Sequence, residues 1–211
     1  MQHMLVSLQT LKFMQALPSI EDKIISQKAV YLERKTTFSK LLILDLDETL
    51  VHCVPASEKS DTKMTFDLPT GKNSEVGLNI RPWVNNFLRY VSCHFEVAVF
   101  TASQKCYADV VLDYLDPHNE LIHHRLYRDS CIETAGIHIK DLRIFQGWDL
   151  SEIILVDNAS YSYVNQIDNG VPVLSWTNDP ADCELPKIAR LLDACLRVDD
   201  VREVTRSVFR I

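Results

Sequence analysis

Leu41-Leu42-Ile43-Leu44-Asp45-Leu46-Asp47-Glu48-Thr49-Leu50 is the stretch on which the reading of this 211-residue chain turns. Four apolar residues run without alternation into two carboxylates. An uninterrupted apolar run of this length reads as a strand buried on both faces, as in a parallel sheet covered by helices. Asp45 and Asp47 stand two residues apart, so at a strand's end their side chains leave the chain on the same side. Like charges so close are costly unless a shared proton or a cation offsets them. Mg²⁺ suits the task, because it takes one or two carboxylates and keeps waters and phosphate oxygens for the rest of its shell. Alone, the pair is equally compatible with a strand cap or the start of a turn.

Further apolar runs at 95–100, 153–156 and 171–174 repeat the pattern, each followed by polar residues and then a helical stretch. Tyr107–Leu115, with Val110, Val111, Leu112 and Leu115, is one such helix. Strands alternating with helices predict an α/β fold with a Rossmann-like parallel sheet flanked by helices. Ligands of such sheets bind beyond the carboxyl ends of the strands. Phe100-Thr101-Ala102-Ser103 ends the second run, where a hydroxyl and a following helix N-terminus favour an anion. Lys140 follows Ile137-His138-Ile139, and Ile153–Val156 delivers Asp157-Asn158, a carboxylate and an amide oxygen suited to a hard cation.

Two segments interrupt the pattern. Residues 52–80 carry Pro55, Pro69, Gly71 and Gly77, with alternation over Met64-Thr65-Phe66-Asp67-Leu68, and predict a small β-hairpin insert. A second hairpin is expected at 131–139, turning near Ala135-Gly136. Met4, Leu8, Leu11, Met14 and Leu17 recur at helical spacing before Pro18, and a second helix is expected near Ser19. Residues 1–38 are thus read as an N-terminal helical extension and 39–211 as the domain proper.

Composition narrows the function. A net charge of −7 argues against a general nucleic-acid binder, and no apolar stretch reaches the length of a membrane span. The six cysteines fall in no Cys-x-x-Cys pair and read as reduced thiols, which points to the nucleus or cytoplasm. Asn158-Ala159-Ser160 matches a glycosylation acceptor, expected to go unused because a glycan on Asn158 would block the site.

An acid pair, a hydroxyl, a lysine and an acid-amide pair, in that order and each at a strand end, resemble the motifs of the haloacid dehalogenase superfamily. More narrowly, the chain is similar to the small phosphatases related to those acting on the C-terminal tail of RNA polymerase II. The residues that carry this likeness are Asp45 to His52, Arg81-Pro82, Phe100 to Ser103, Tyr107-Ala108-Asp109, Arg125 to Arg128, Ile139 to Leu142, Asp157-Asn158 and Ser175-Trp176. It spans residues of about 40–205. The resemblance implies that Asp45 attacks phosphorus to form an aspartyl-phosphate, and that Asp47 serves as general acid and then general base. Asp47 must then be protonated when substrate binds, so its pKa is expected to be raised.

It further implies Mg²⁺ held by the Asp45 carboxylate, the Asp47 main-chain carbonyl and Asn158, with Asp157 nearby. Thr101, Ala102 and Lys140 would bind the phosphoryl oxygens. Thr49 is expected to fix the loop, and Arg128 to be a second anion contact. The second acid favours phosphate over halide as leaving chemistry. Non-catalytic relatives that act as binding or scaffold modules would be expected to lack acidic motif residues, all of which are present here. Asp45 to Thr101 and Thr101 to Lys140 leave no room for a large cap, which points to a phosphorylated protein segment, phosphoserine or phosphothreonine, as substrate. Small-metabolite hydrolysis is the alternative. Where the tail phosphatases line an apolar pocket, this chain has Gln104, Pro55 and Gly77, and Ala159 replaces the usual serine. Specificity for the polymerase tail is therefore not expected to follow from the likeness alone.

Overall fold

The computed structural model describes residues 20–134 and 136–209. In chain order, helix α1 (Asp22–Lys28) and strand β1 (Val30–Tyr31) precede β2 (Leu41–Leu44). Strands β3 (Val51–Pro55), β4 (Thr62–Asp67) and β5 (Asn73–Ile80) lead to helix α2 (Val84–Ser92). Next come β6 (Glu96–Phe100), helix α3 (Lys105–Leu115), β7 (His124–Leu126), β8 (Ile132–Thr134), β9 (Ile137–Ile139) and β10 (Phe145–Gln146). The chain closes with β11 (Ile153–Asp157), β12 (Gly170–Pro172), and helices α4 (Glu184–Cys195) and α5 (Val201–Phe209).

The central sheet has the order β12-β11-β2-β6-β7, with every neighbouring pair parallel. All residues of β2, β6 and β11 are buried. The two-residue period of the strands divides the core. Leu42, Leu44, Val97, Val99, Ile154 and Val156 face α2, α3, α4 and α5, whereas Leu41, Ile43, Ala98, Phe100, Ile153 and Leu155 pack toward Leu142, Phe145, Tyr163 and Ile25. Each helix supplies one apolar stripe: Val84, Phe87, Leu88 and Val91 in α2, and Ala108, Val111, Leu112 and Leu115 in α3. Because the strands are parallel, their carboxyl ends share one edge, where Asp45, Thr101 and Asn158 emerge.

The insert is larger than the expected hairpin. It is a three-stranded antiparallel sheet of order β3-β5-β4, because the eight residues of β5 are long enough to pair with both partners. Gly77 lies where a Cβ would come within 2.8 Å of Val54 and 2.7 Å of Ser60, so close approach of the two flanking segments needs a glycine there. The smaller hairpin, β8 with β9, turns through Gly136 at φ +77°.

The described part of the amino-terminal segment is less helical than expected. The helix expected over Met4–Leu17 lies outside the described residues. Within 20–38 the helix is confined to Asp22–Lys28, and Val30–Tyr31 pairs in parallel with Phe145–Gln146. The backbone N–H groups of Lys35 and Thr36 then donate to the buried Glu96 carboxylate at 3.0 and 2.9 Å. Thr36 Oγ1 adds 2.5 Å and His124 Nε2 2.8 Å, so Glu96 anchors this segment to the start of β6. Burial pushes the Glu96 carboxyl upward, but the donors from Thr36, Lys35 and His124 outweigh it and hold the group below the usual carboxylate range. Among the described residues, no helix is long and apolar enough to cross a membrane.

Candidate active site

The Asp45 N–H extends the β2 ladder by donating to Val156 O at 2.9 Å, which sets Asp45 on the rim of the sheet. The chain then turns sharply. Leu46 O accepts from Leu50 N at 2.8 Å and Val51 N at 3.2 Å, while Glu48 takes a left-handed φ of 61°. Arg81, 1% exposed, braces this loop: its Nη1 donates to Thr49 O at 3.0 Å and its Nη2 to Leu174 O at 3.0 Å. Its Nε and Nη2 also form a two-point pair with Asp182, both at 2.8 Å.

Asp45 is held from two sides. Oδ1 accepts from Lys140 Nζ at 2.5 Å, and Oδ2 accepts from Thr49 Oγ1 at 2.8 Å. Lys140 is buried, and its ammonium also donates to Asp157 Oδ2 at 2.7 Å. Burial lowers its pKa, but Asp157 and Asp45 more than offset that and keep it charged. Burial, reinforced by Asp45 and opposed by Lys140, pushes Asp157 up to about 6. The other Asp157 oxygen accepts from Ala159 N at 2.7 Å, so both oxygens are engaged and the residue braces the lysine.

Asp47 occupies the same cleft. Oδ1 accepts from Tyr107 Oη at 2.7 Å and Oδ2 from Ser103 Oγ at 2.7 Å, with Thr101 Oγ1 at 3.5 Å. Burial raises its pKa despite the opposing hydrogen bonds from Ser103 and Tyr107, the direction a general acid requires. Tyr107 is pushed strongly upward by burial and the Asp47 charge, and so stays a neutral donor. The Thr101 oxygen accepts from Ser103 N at 3.0 Å, which fixes the turn leading into α3.

The cleft holds about 530 Å³ and is lined by Asp45, Asp47, Glu48, Asp157, Arg128 and Lys140 among others. Four acidic side chains therefore face two basic ones, an imbalance that favours a bound cation. Asn158 Nδ2 donates to Ser175 Oγ at 2.9 Å and approaches Glu48 Oε2 at 3.3 Å, which turns Oδ1 toward the Thr49 hydroxyl beside Asp45. Hard oxygen donors thus converge from Asp45 and Asn158. No group of three His, Cys, Asp or Glu side chains is set to hold a metal among the described residues. An octahedral Mg²⁺ that keeps waters and phosphate oxygens does not need one.

Asp45, Asp47, Thr101, Ala102, Lys140, Asp157, Asn158 and Arg128 all line this one cleft. Thr49 lies just behind it, on Asp45. Arg128 sits at the rim, donating through Nε to Ala102 O at 2.6 Å. Sequence reasoning assigned no role to Tyr107, Ser103, Arg81, Glu48 or Ser175. All five lay inside the quoted motifs, but nothing in their spacing pointed to the partners they meet, such as Asp47 for Tyr107 and Asp182 for Arg81.

A family model described as NLI interacting factor-like phosphatase matches residues 40–202. CTD small phosphatase-like protein 3 of Caenorhabditis elegans is 38% identical over 197 residues, covering 92% of this chain and 68% of that protein. A probable C-terminal domain small phosphatase of Dictyostelium discoideum is 44% identical over 168 residues, covering 78% of this chain but only 53% of that protein. The structure of the fission yeast RNA polymerase II CTD phosphatase Fcp1 bound to beryllium fluoride superposes with a TM-score of 0.55 at 20% identity. That likeness covers 88% of this chain and 56% of the other, and it supports the haloacid dehalogenase fold. The chain belongs to the NLI interacting factor-like phosphatase family and has the haloacid dehalogenase fold.

Proposed function

We propose that this chain is a Mg²⁺-dependent protein serine/threonine phosphatase working through an aspartyl-phosphate on Asp45. The observation that carries the reading is the Asp45 carboxylate, held by Lys140 at 2.5 Å and Thr49 at 2.8 Å in the same cleft as Asp47. An Asp45 oxygen forms the new bond to phosphorus while the bond to the ester oxygen breaks, and Asp47 gives that oxygen its proton. A water then attacks the phosphorus of the acyl phosphate and surrenders its proton to Asp47, which frees Asp45 and inorganic phosphate. The Lys140 ammonium offsets charge on the phosphoryl oxygens in both steps, with the Thr101 hydroxyl, the Ala102 backbone and Arg128 as further oxygen contacts.

The Asp45 carboxylate, the Asp47 carbonyl and Asn158 would hold the metal, which supplies positive charge to the phosphoryl group when bound. Asp157 acts on that site through Lys140 and not as a direct ligand.

A protein substrate is favoured because the segments between Asp45 and Lys140 are spent on the insert sheet, two helices and a short hairpin. No separate lid domain stands over the cleft among the described residues. Polymerase-tail repeats are one candidate substrate. Gln104 stands where tail readers are expected to carry an apolar residue, and both it and Pro55 are exposed, so other phosphoproteins stand beside them. The six free cysteines favour a nuclear or cytoplasmic address.

The test is a phosphopeptide panel that includes tail repeats, run with wild type and Asp45→Asn, with Mg²⁺ and with EDTA. Phosphoserine or phosphothreonine turnover lost in EDTA and in Asp45→Asn is expected, together with beryllium fluoride capture by wild type alone. Turnover of small phosphometabolites alone would overturn the protein substrate, and activity retained by Asp45→Asn would overturn the nucleophile.

A further inference from the structure

Asp47 has the most structured surroundings of any cleft residue that the proposed chemistry requires to move a proton. Its two oxygens are each taken by a different hydroxyl of one short segment: Ser103, just before α3, and Tyr107, one turn into it. Both contacts are 2.7 Å, and both donors are O–H groups with no charge to lose. The Tyr107 ring is itself fixed from the far side, its centroid 5.6 Å from that of Phe66 in β4, at an interplanar angle of 65°. The carboxyl plane of Asp47 is therefore set by α3, and α3's tyrosine is set by the insert sheet. Oδ2 is also approached by Thr101 Oγ1 at 3.5 Å, but Oδ1 accepts from Tyr107 alone and keeps a further lone pair, so the clamp fixes orientation without consuming the position that carries the transferred proton.

We propose that Ser103 and Tyr107 are positioning residues that aim the Asp47 carboxyl at the leaving-group oxygen, buttressed through Phe66 by the insert. The assignment rests on the reading of Asp47 as general acid. In the step it serves, the Asp45–phosphorus bond forms, the phosphorus–ester bond breaks, and the Asp47 proton passes to the departing oxygen. A serine or threonine alkoxide needs that proton as it leaves. A nitrophenolate is a far more stable anion and leaves without it. A clamp that aims the acid therefore matters for alkyl phosphates and hardly at all for a good aryl leaving group. A merely structural tyrosine would affect both alike. Tyr107 and Ser103 thus help to make the site competent for phosphoserine and phosphothreonine.

The experiment compares kcat/KM, which reports through the first phosphoryl transfer, for a phosphoserine peptide and for para-nitrophenyl phosphate. Tyr107→Phe keeps the ring against Phe66 and removes only the hydroxyl, and Ser103→Ala removes the other donor. Each is expected to lower kcat/KM for the phosphopeptide about 10- to 100-fold, a share of the 10²–10⁴ that general acid catalysis supplies. With para-nitrophenyl phosphate the loss should stay below about threefold, since little acid assistance is then at stake. In an Asp47→Asn background, Tyr107→Phe should change neither substrate's rate further, because the two residues act as one unit. Equal losses on both substrates, or an undiminished effect in the Asp47→Asn background, would overturn the clamp. Activity retained by Asp45→Asn would instead remove the underlying mechanism, so the two failures are told apart.

Discussion

Lys140 shows how much of this site is one electrostatic unit. Its ammonium is the shared counter-charge of Asp45 and Asp157, at 2.5 and 2.7 Å, and all three are nearly inaccessible to water. Removing one member of a buried ionic set leaves the others uncompensated, at a cost of about 3–5 kcal/mol. Lys140→Met should therefore lower thermal stability as well as turnover, the latter by about 10²–10³-fold or more from lost charge stabilisation. Melting curves and single-turnover rates check both. A variant that melts like wild type would show that the pair of carboxylates is neutralised some other way. Lys140→Arg should not rescue activity, because the wider planar guanidinium does not fit a buried slot shaped for a point charge. The residues of this unit were legible in the sequence because each follows an apolar run, and a buried strand that ends in a charged residue is conspicuous. Tyr107 was not legible as a partner of Asp47. The two are 60 positions apart, and only the rotation of α3 about its own axis turns the tyrosine hydroxyl toward the cleft.

At the scale of elements, Arg81 ties three segments that share no hydrogen-bonded ladder. It reaches the loop after β2, the loop after β12 through Leu174, and Asp182 ahead of α4. Asp182 lies 101 positions away, a separation at which no local pattern can forecast contact. Burial would raise the Asp182 carboxyl, but the Arg81 guanidinium outweighs it and holds the group below its ordinary range. Arg81→Ala should cost on the order of 3 kcal/mol, at the low end for a broken buried pair because Asp182 is partly exposed. Loosening the loop that carries Asp45 and Asp47 should also raise the rate of proteolysis there, which limited digestion would detect. The insert offers a parallel lesson. Its alternation announced strands, but the third strand and the sheet order came from the length of β5, which pairing rules alone do not specify.

Across the whole molecule, acid stability follows from carboxylates held below their usual range by hydrogen bonds, with Glu96 the most deeply placed. A carboxyl depressed in the folded state stabilises the fold above its unfolded pKa of about 4.3, and that contribution fades as pH falls through the lower folded value. The melting temperature should thus fall steeply below about pH 4. Glu96→Gln should be less stable at neutral pH and show a shallower acid limb. An unchanged pH profile for that variant would mean that other acids carry the effect. The parallel sheet, its helices and the site-bearing edge were all readable from apolar runs. The course of residues 29–38 was not, because two-residue strands such as β1 carry no period.

That last segment bears on where this protein can be cut. The family model's match begins at residue 40, and a boundary drawn there looks natural. Yet a chain shortened to that point would delete Lys35 and Thr36, which give Glu96 three of its four hydrogen bonds. The carboxylate would stay walled inside the sheet's margin with a lone imidazole for company. The minimal autonomous unit is therefore longer than the stretch the family model matches, and its first indispensable residues are two backbone donors and the Thr36 hydroxyl. The family model marks the stretch it matches; the buried carboxylate marks the region that must stay attached to it.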